Sequence, residues 1–166
     1  MISNKLIAVV DTIIAETDEY NRQHEYAQRV MLTVNRIQRL LYLMDIEHMF
    51  RKTGVSMFKE DFCAWPKGPT IPSVYWTFDK PDMHVGVAKY GNDTYYLYPE
   101  EIAIIKYILD KTWEWDTVDL NILTKQTGPW RRNYVEDDPD HTQVISKAEI
   151  YNWYYNNGMF WEILDE

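Results

Sequence analysis

The side chains able to carry chemistry are few and far apart. His24, His48, His84 and His141 would be the first metal ligands or proton carriers to consider, yet none forms a His-Glu-x-x-His pair or another compact ligand spacing. A structural zinc would have to join the lone Cys63 to histidines from distant segments, so no metal is expected. Cys63 would serve as a nucleophile if the fold brought a histidine beside it. Its neighbours Phe62, Ala64 and Trp65 instead give it the setting of a small buried hydrophobe. The acidic run Glu136, Asp137, Asp138 and Asp140 offers oxygen ligands to a hard cation, but it lacks the glycine and ligand order of a calcium loop and reads as solvated surface. Neither glycine-rich phosphate motif occurs, and dispersed carboxylates define no acid and base pair. The expectation is a protein without catalysis and without a cofactor.

The elements that would position these groups are mostly helices. Leu6, Val9, Val10, Ile13 and Ile14 recur at spacings of three and four, which predicts an amphipathic helix over 4–15. The polar run "ETDEYNRQHEYAQ" that follows is either a loop or the solvated continuation of that helix. A second helix is capped by Thr33 and carries Val34, Ile37, Leu41 and Met44 on one stripe, with Leu40 and Leu43 widening it. An apolar arc this broad belongs to a helix central to its domain, and Gly54 supplies its stop. Further on, "HVGVAKYGNDTYYLYP" sets two strand-like runs around Gly91-Asn92-Asp93, predicting a small antiparallel hairpin. Pro99, Glu100 and Glu101 open a helix that ends near Trp115, and Asp116 or Thr117 caps a short one stopped by Gly128-Pro129. "RRNYVEDDPDH" reads as a surface loop. Ser146 with Glu149 has capping-box spacing for a last helix over about 146–157. The fold class expected is therefore mainly α: one compact domain over 1–166 of about five helices with a small antiparallel β element.

Composition narrows the partners. A chain of 166 residues buries roughly 70% of its unfolded surface on folding, so its core needs no help from metals or disulfides. The formal net charge of −9 opposes general binding to DNA or RNA, which depends on cations displacing counterions from phosphates. A single cysteine allows no internal disulfide and suits a reducing cytoplasm, and no segment approaches the apolar length of a membrane span or signal peptide. Seven tryptophans and thirteen tyrosines are unusually many flat, partly polar side chains; such residues line cores and also dominate binding hot spots.

Three motifs then stand out together. In "EDFCAWPKGPTIPSVY", residues 60–75, an apolar run meets three prolines and a glycine, predicting a rigid segment outside regular helix or sheet. Its pattern Ala64-Trp65-x-x-Gly68-Pro69, with Pro72 and Tyr75, resembles the signature of the Panacea domain, found in SocA-like antitoxins and many phage-associated proteins. Upstream, "NRIQRLLYLMD" resembles that family's K-L-Q-K-L-L-Y helix, with Arg36 and Arg39 at the lysine positions. Downstream, "LNILTKQTGPW" is similar to its L-x-x-L-T-H-x-x-x-P-W motif through Leu120, Leu123, Thr124, Pro129 and Trp130. Pro66 is an extra proline, Thr70 replaces a usual valine, and Lys125 stands at the histidine position. The motif-bearing part runs from about 33 to 130.

The resemblance implies a helical binding platform whose relatives neutralise toxins by direct protein contact, one of them as an adaptor that delivers its toxin to a protease. A stiff loop loses less entropy on association. The candidate partner-binding residues are therefore Trp65, Lys67, Gly68, Pro69 and Tyr75 of the loop, Trp130 beside it, and Arg36 and Arg39, whose helical spacing places a small positive spot on an acidic protein. Two roles stay open for the tryptophans, interface anchor or clamp of the fold against the second helix, and the arginines would equally pair with nearby carboxylates. A rival reading rests on charge alone: a phage counter-defence protein occupying a basic site on a host defence complex.

Overall fold

The computed structural model describes residues 2–78, 97–126 and 128–159. The hairpin expected around Gly91-Asn92-Asp93 lies outside the described residues. Among them are seven α-helices: α1 (Asn4–Arg22), α2 (Val34–Arg51), α3 (Pro72–Phe78), α4 (Pro99–Thr112), α5 (Thr117–Gln126), α6 (Gly128–Asn133) and α7 (Lys147–Asn157). Strands β1 (Phe62–Trp65), β2 (Gly68–Thr70) and β3 (Val144–Ile145) form one antiparallel sheet in the order β2-β1-β3. The mainly helical expectation holds, with a higher helix count than the five foreseen. The additions, α3 and α6, are too short to show an apolar period, and each starts at a proline or glycine-proline pair that reads as a stop in sequence but suits a helix's first turn.

The local signals that depend on a few neighbouring residues appear as expected. Thr33 accepts a hydrogen bond from the Arg36 N–H at 3.1 Å, and Ser146 accepts one from Glu149 N–H at 3.1 Å, so both caps satisfy donors that have no partner inside their helices. Asp116 does the same for Asp119 at the start of α5. The polar run after Ile14 proves to be helix as far as Arg22, followed by a 3-10 turn at Tyr26–Gln28. After α2, Gly54 takes a φ of 87° and its N–H reaches back to Met49 O at 2.7 Å, closing the helix.

Helix α2 organises the core. From Val34 to Met49 all residues except Asn35 and Glu47 are buried, because α4, α5, α7 and the β1–β2 hairpin pack around it. Burying each of its large aliphatic side chains contributes about 1.5–3 kcal/mol, so this helix supplies a substantial part of the core's stability. Full enclosure also traps polar groups, and these must find partners. Asp45 accepts hydrogen bonds from Ser56 Oγ at 2.7 Å, Met57 N–H at 2.8 Å and Lys147 Nζ at 2.5 Å, tying α2 to α7 across the chain. No described helix is long and apolar enough to cross a membrane.

Candidate functional site

The segment 60–75 is regular, which corrects the expectation drawn from its prolines. Cys63 pairs with Thr70, Ala64 with Pro69 and Trp65 with Gly68, so the stretch is a hairpin whose turn is Pro66-Lys67, and Pro72 then opens α3. Proline at the second turn position and glycine at the fourth fit a tight turn, and Pro69 is tolerated because β2 is an edge strand. Stiffness thus comes from pairing and proline together.

Three distant segments lock the inner side of this hairpin. The Gln38 side chain donates to Ile71 O at 3.0 Å and accepts from Ile71 N–H at 2.8 Å, replacing the strand partner that the chain lacks there. Arg39 donates from Nη2 to Thr70 Oγ1 at 2.8 Å, while its Nη1 lies against Gly68 so closely that a Cβ there would stand 1.8 Å away. Thr124 of α5 meets the same point, 3.0 Å from that Cβ position. Gly68 also holds a φ of 137°, so glycine is required twice over: for the backbone angle and for the guanidinium. Trp130 of α6 donates from Nε1 to Trp65 O at 2.8 Å, and Lys125 sits 5.0 Å over the Trp130 ring. The three sequence motifs therefore converge on one corner.

The candidate residues divide by burial. Gly68 and Pro69 are buried, and Trp130 is 8% exposed, serving the clamp. Pro66 and Lys67 are exposed, and Trp65 and Tyr75 are half-buried with their rings 5.1 Å apart. Trp65 donates from Nε1 to His141 O at 3.0 Å, drawing the 134–143 loop to the corner. Next to them Trp76, 68% exposed, continues the aromatic surface.

Arg36 and Arg39 form no positive surface spot, contrary to the expectation from their spacing. Arg36, 3% exposed, donates to Thr112 O at 2.8 Å and Trp115 O at 2.6 Å, capping the end of α4 where carbonyls lack partners. Arg39, 1% exposed, runs inward beneath β2. Burial pushes the Arg36 guanidinium down to about 10, partly countered by Asp116, and pushes Arg39 down to about 9, with only Tyr42 acting in the other direction.

A cavity of about 400 Å³ opens beside the corner, lined among others by Asn35, Arg39, Trp65, Lys67, Tyr75 and His141. None of the described residues lining it is acidic. Asn35 and His141 were missed as site residues: Asn35 is legible as one helical turn before Arg39, whereas nothing local joins His141 to a hairpin so distant in sequence. Cys63 is 8% exposed, and burial followed by the charge of Asp61 raises its thiol, which disfavours the thiolate a nucleophile needs. In the acidic run, Asp138 accepts from Thr142 N–H at 3.0 Å and Asp140 N–H at 3.2 Å and so folds its own loop. Among the described residues no three His, Cys, Asp or Glu side chains gather as a metal site would require.

No curated protein and no solved structure matches the chain. A family model described as "Antitoxin SocA-like, Panacea domain" matches residues 37–131, a span that holds Arg39, the hairpin, Thr124 and Trp130 and exceeds half of the sequence. With its three motifs interlocked at a single corner, the chain belongs to the SocA-like antitoxin family of Panacea-domain proteins.

Proposed function

We propose that this protein neutralises a cognate toxin by contact, using the β1–β2 corner as its binding surface. The observation that carries the reading is the division of that corner into a locked base and an open tip. Gln38, Arg39 and Trp130 fix the backbone from below, while Trp65, Pro66, Lys67, Tyr75 and Trp76 remain at the surface. A surface fixed before the partner arrives loses little conformational entropy on binding, and partly exposed tryptophan and tyrosine are the residues that anchor protein interfaces. The protein acts by occupancy, and its role needs neither cofactor nor metal. Membership of an antitoxin family supports a protein as the partner.

The test is co-expression with the product of the neighbouring gene. Growth arrest by that product should be relieved by the intact protein, and relief should fail with Lys67→Glu or Trp76→Ala while the purified variants keep the native circular dichroism and melting temperature. Should toxin levels fall only when a host protease is present, neutralisation proceeds by delivery for degradation at the same surface. Relief that is indifferent to both tip substitutions would remove the corner from the mechanism.

A further inference from the structure

We propose that the cavity beside the corner takes a single carboxylate, carried by an acidic side chain of the protein partner. The proposal rests on the reading that the corner meets a protein, and it names the chemistry of that contact. Arg39 is 1% exposed, and its Nε and Nη1 have no hydrogen-bond partner, with Nη2 alone engaged by Thr70. A guanidinium taken out of water without a counter-charge is strongly disfavoured, and buried arginines ordinarily sit against a carboxylate. None of the described residues lining the cavity supplies one. The fold provides such an acid elsewhere, since Asp45 meets Lys147 on the same helix α2. Arg36, the other buried guanidinium of α2, also leaves its Nε without a partner, but its two terminal nitrogens meet Trp115 O and Thr112 O, so the larger unmet demand lies at Arg39.

The walls select among anions. Trp65 and Tyr75 form an edge-to-face pair along the cavity, an apolar lining suited to the methylene stem of glutamate or aspartate. His141 adds a buried Nδ1 that also lacks a partner, and Lys67 places a second positive charge at the exposed rim. A volume of about 400 Å³ admits one side chain with part of its backbone. Phosphate chemistry fits less well. The chain carries 26 acidic against 17 basic side chains, so its field repels a polyanion on approach, and the one guanidinium lining the cavity matches a monoanion.

The experiment uses the full chain and small probes. N-acetylglutamate, its neutral analogue N-acetylglutamine and inorganic phosphate are titrated separately while the ¹⁵N resonances of the Trp65 indole and the Arg39 Nε are followed. The expected result is a saturable response to the acid, at least about tenfold stronger than to the amide or phosphate. Asn35→Asp places a carboxylate one turn before Arg39 and should abolish that response while preserving the fold; Arg39→Met should abolish it as well, and Asn35→Asp decides the matter if Arg39→Met does not fold. Equal binding of the amide, stronger binding of phosphate, absence of saturation with the acid, or a response unchanged by Asn35→Asp would each overturn the proposal. Probe binding without any relief of growth arrest would sink the toxin reading alone, and relief unaffected by Asn35→Asp would sink this one alone.

Discussion

Asp45 and Arg39 lie on the same helix, are equally buried at 1% exposure, and meet burial in opposite ways. Asp45 is saturated: Lys147, Ser56 and the Met57 N–H all reach it, and Lys147 is further held by Phe58 O at 3.2 Å and by the Phe58 ring 4.4 Å away. Arg39 has one side-chain hydrogen bond and two nitrogens without any. Saturated charge holds structure together, because every desolvated group regains its partners. Under-satisfied charge weakens the fold where it sits: Arg39 still braces β2 through Thr70, and beside an open cavity its remaining nitrogens are the ones the proposed carboxylate would meet.

The largest effect that can break this contrast is expected at the saturated cluster. Lys147→Met leaves Asp45 buried and unpaired and should cost about 3–5 kcal/mol in urea denaturation, with much of it recovered in the double variant Asp45→Asn/Lys147→Met. A loss below about 1 kcal/mol would show that the pair does not hold the fold. Gly68→Ala comes next, at about 1–3 kcal/mol, from its backbone angle and the collision with Arg39. In an Arg39→Met background the collision is removed, so the same glycine substitution should cost measurably less. Trp130→Phe removes the hydrogen bond to Trp65 O and should lower stability by about 1 kcal/mol while loosening the Trp65 indole in NMR relaxation. Arg39→Met is the sharpest of the set because little is expected: a change within about 1 kcal/mol in either direction, since removing an unpaired buried cation offsets the lost contact with Thr70. A loss comparable to that of Lys147→Met would erase the distinction between the two clusters. Smallest of all, Cys63 should stay unreactive towards a thiol reagent at pH 8 in the native state and react only as denaturant unfolds the chain, because burial holds its thiol protonated.

The helix starts at Thr33, Asp116 and Ser146 and the stop at Gly54 were legible because each depends on a few adjacent residues. The three motifs likewise marked the corner itself. Its regularity was hidden: Pro66, Pro69 and Pro72 read as breakers one at a time, and only the edge position of β2 and the helix start at Pro72 reconcile them with sheet and helix. The fates of Arg36 and Arg39 were hidden for a different reason. Helical spacing puts them near one another, but Arg36 is taken by the end of α4 and Arg39 by β2, which are partners that tertiary packing chooses. The Asp45–Lys147 link escaped notice for the same reason, since 102 positions separate its ends.

Strand β3 contributes only Val144–Ile145, yet with Gln143 O, which accepts from Ala64 N–H at 2.8 Å, it covers the free flank of β1. Both β3 and Lys147 lie beyond the span matched by the family model. A fragment trimmed to 37–131 would expose a raw strand margin and leave Asp45 stranded, a combination that invites copies to stitch together into insoluble material. Any shortened form of the domain should keep the tail through α7, because that segment, outside the recognisable motif, covers the strand margin and pairs Asp45.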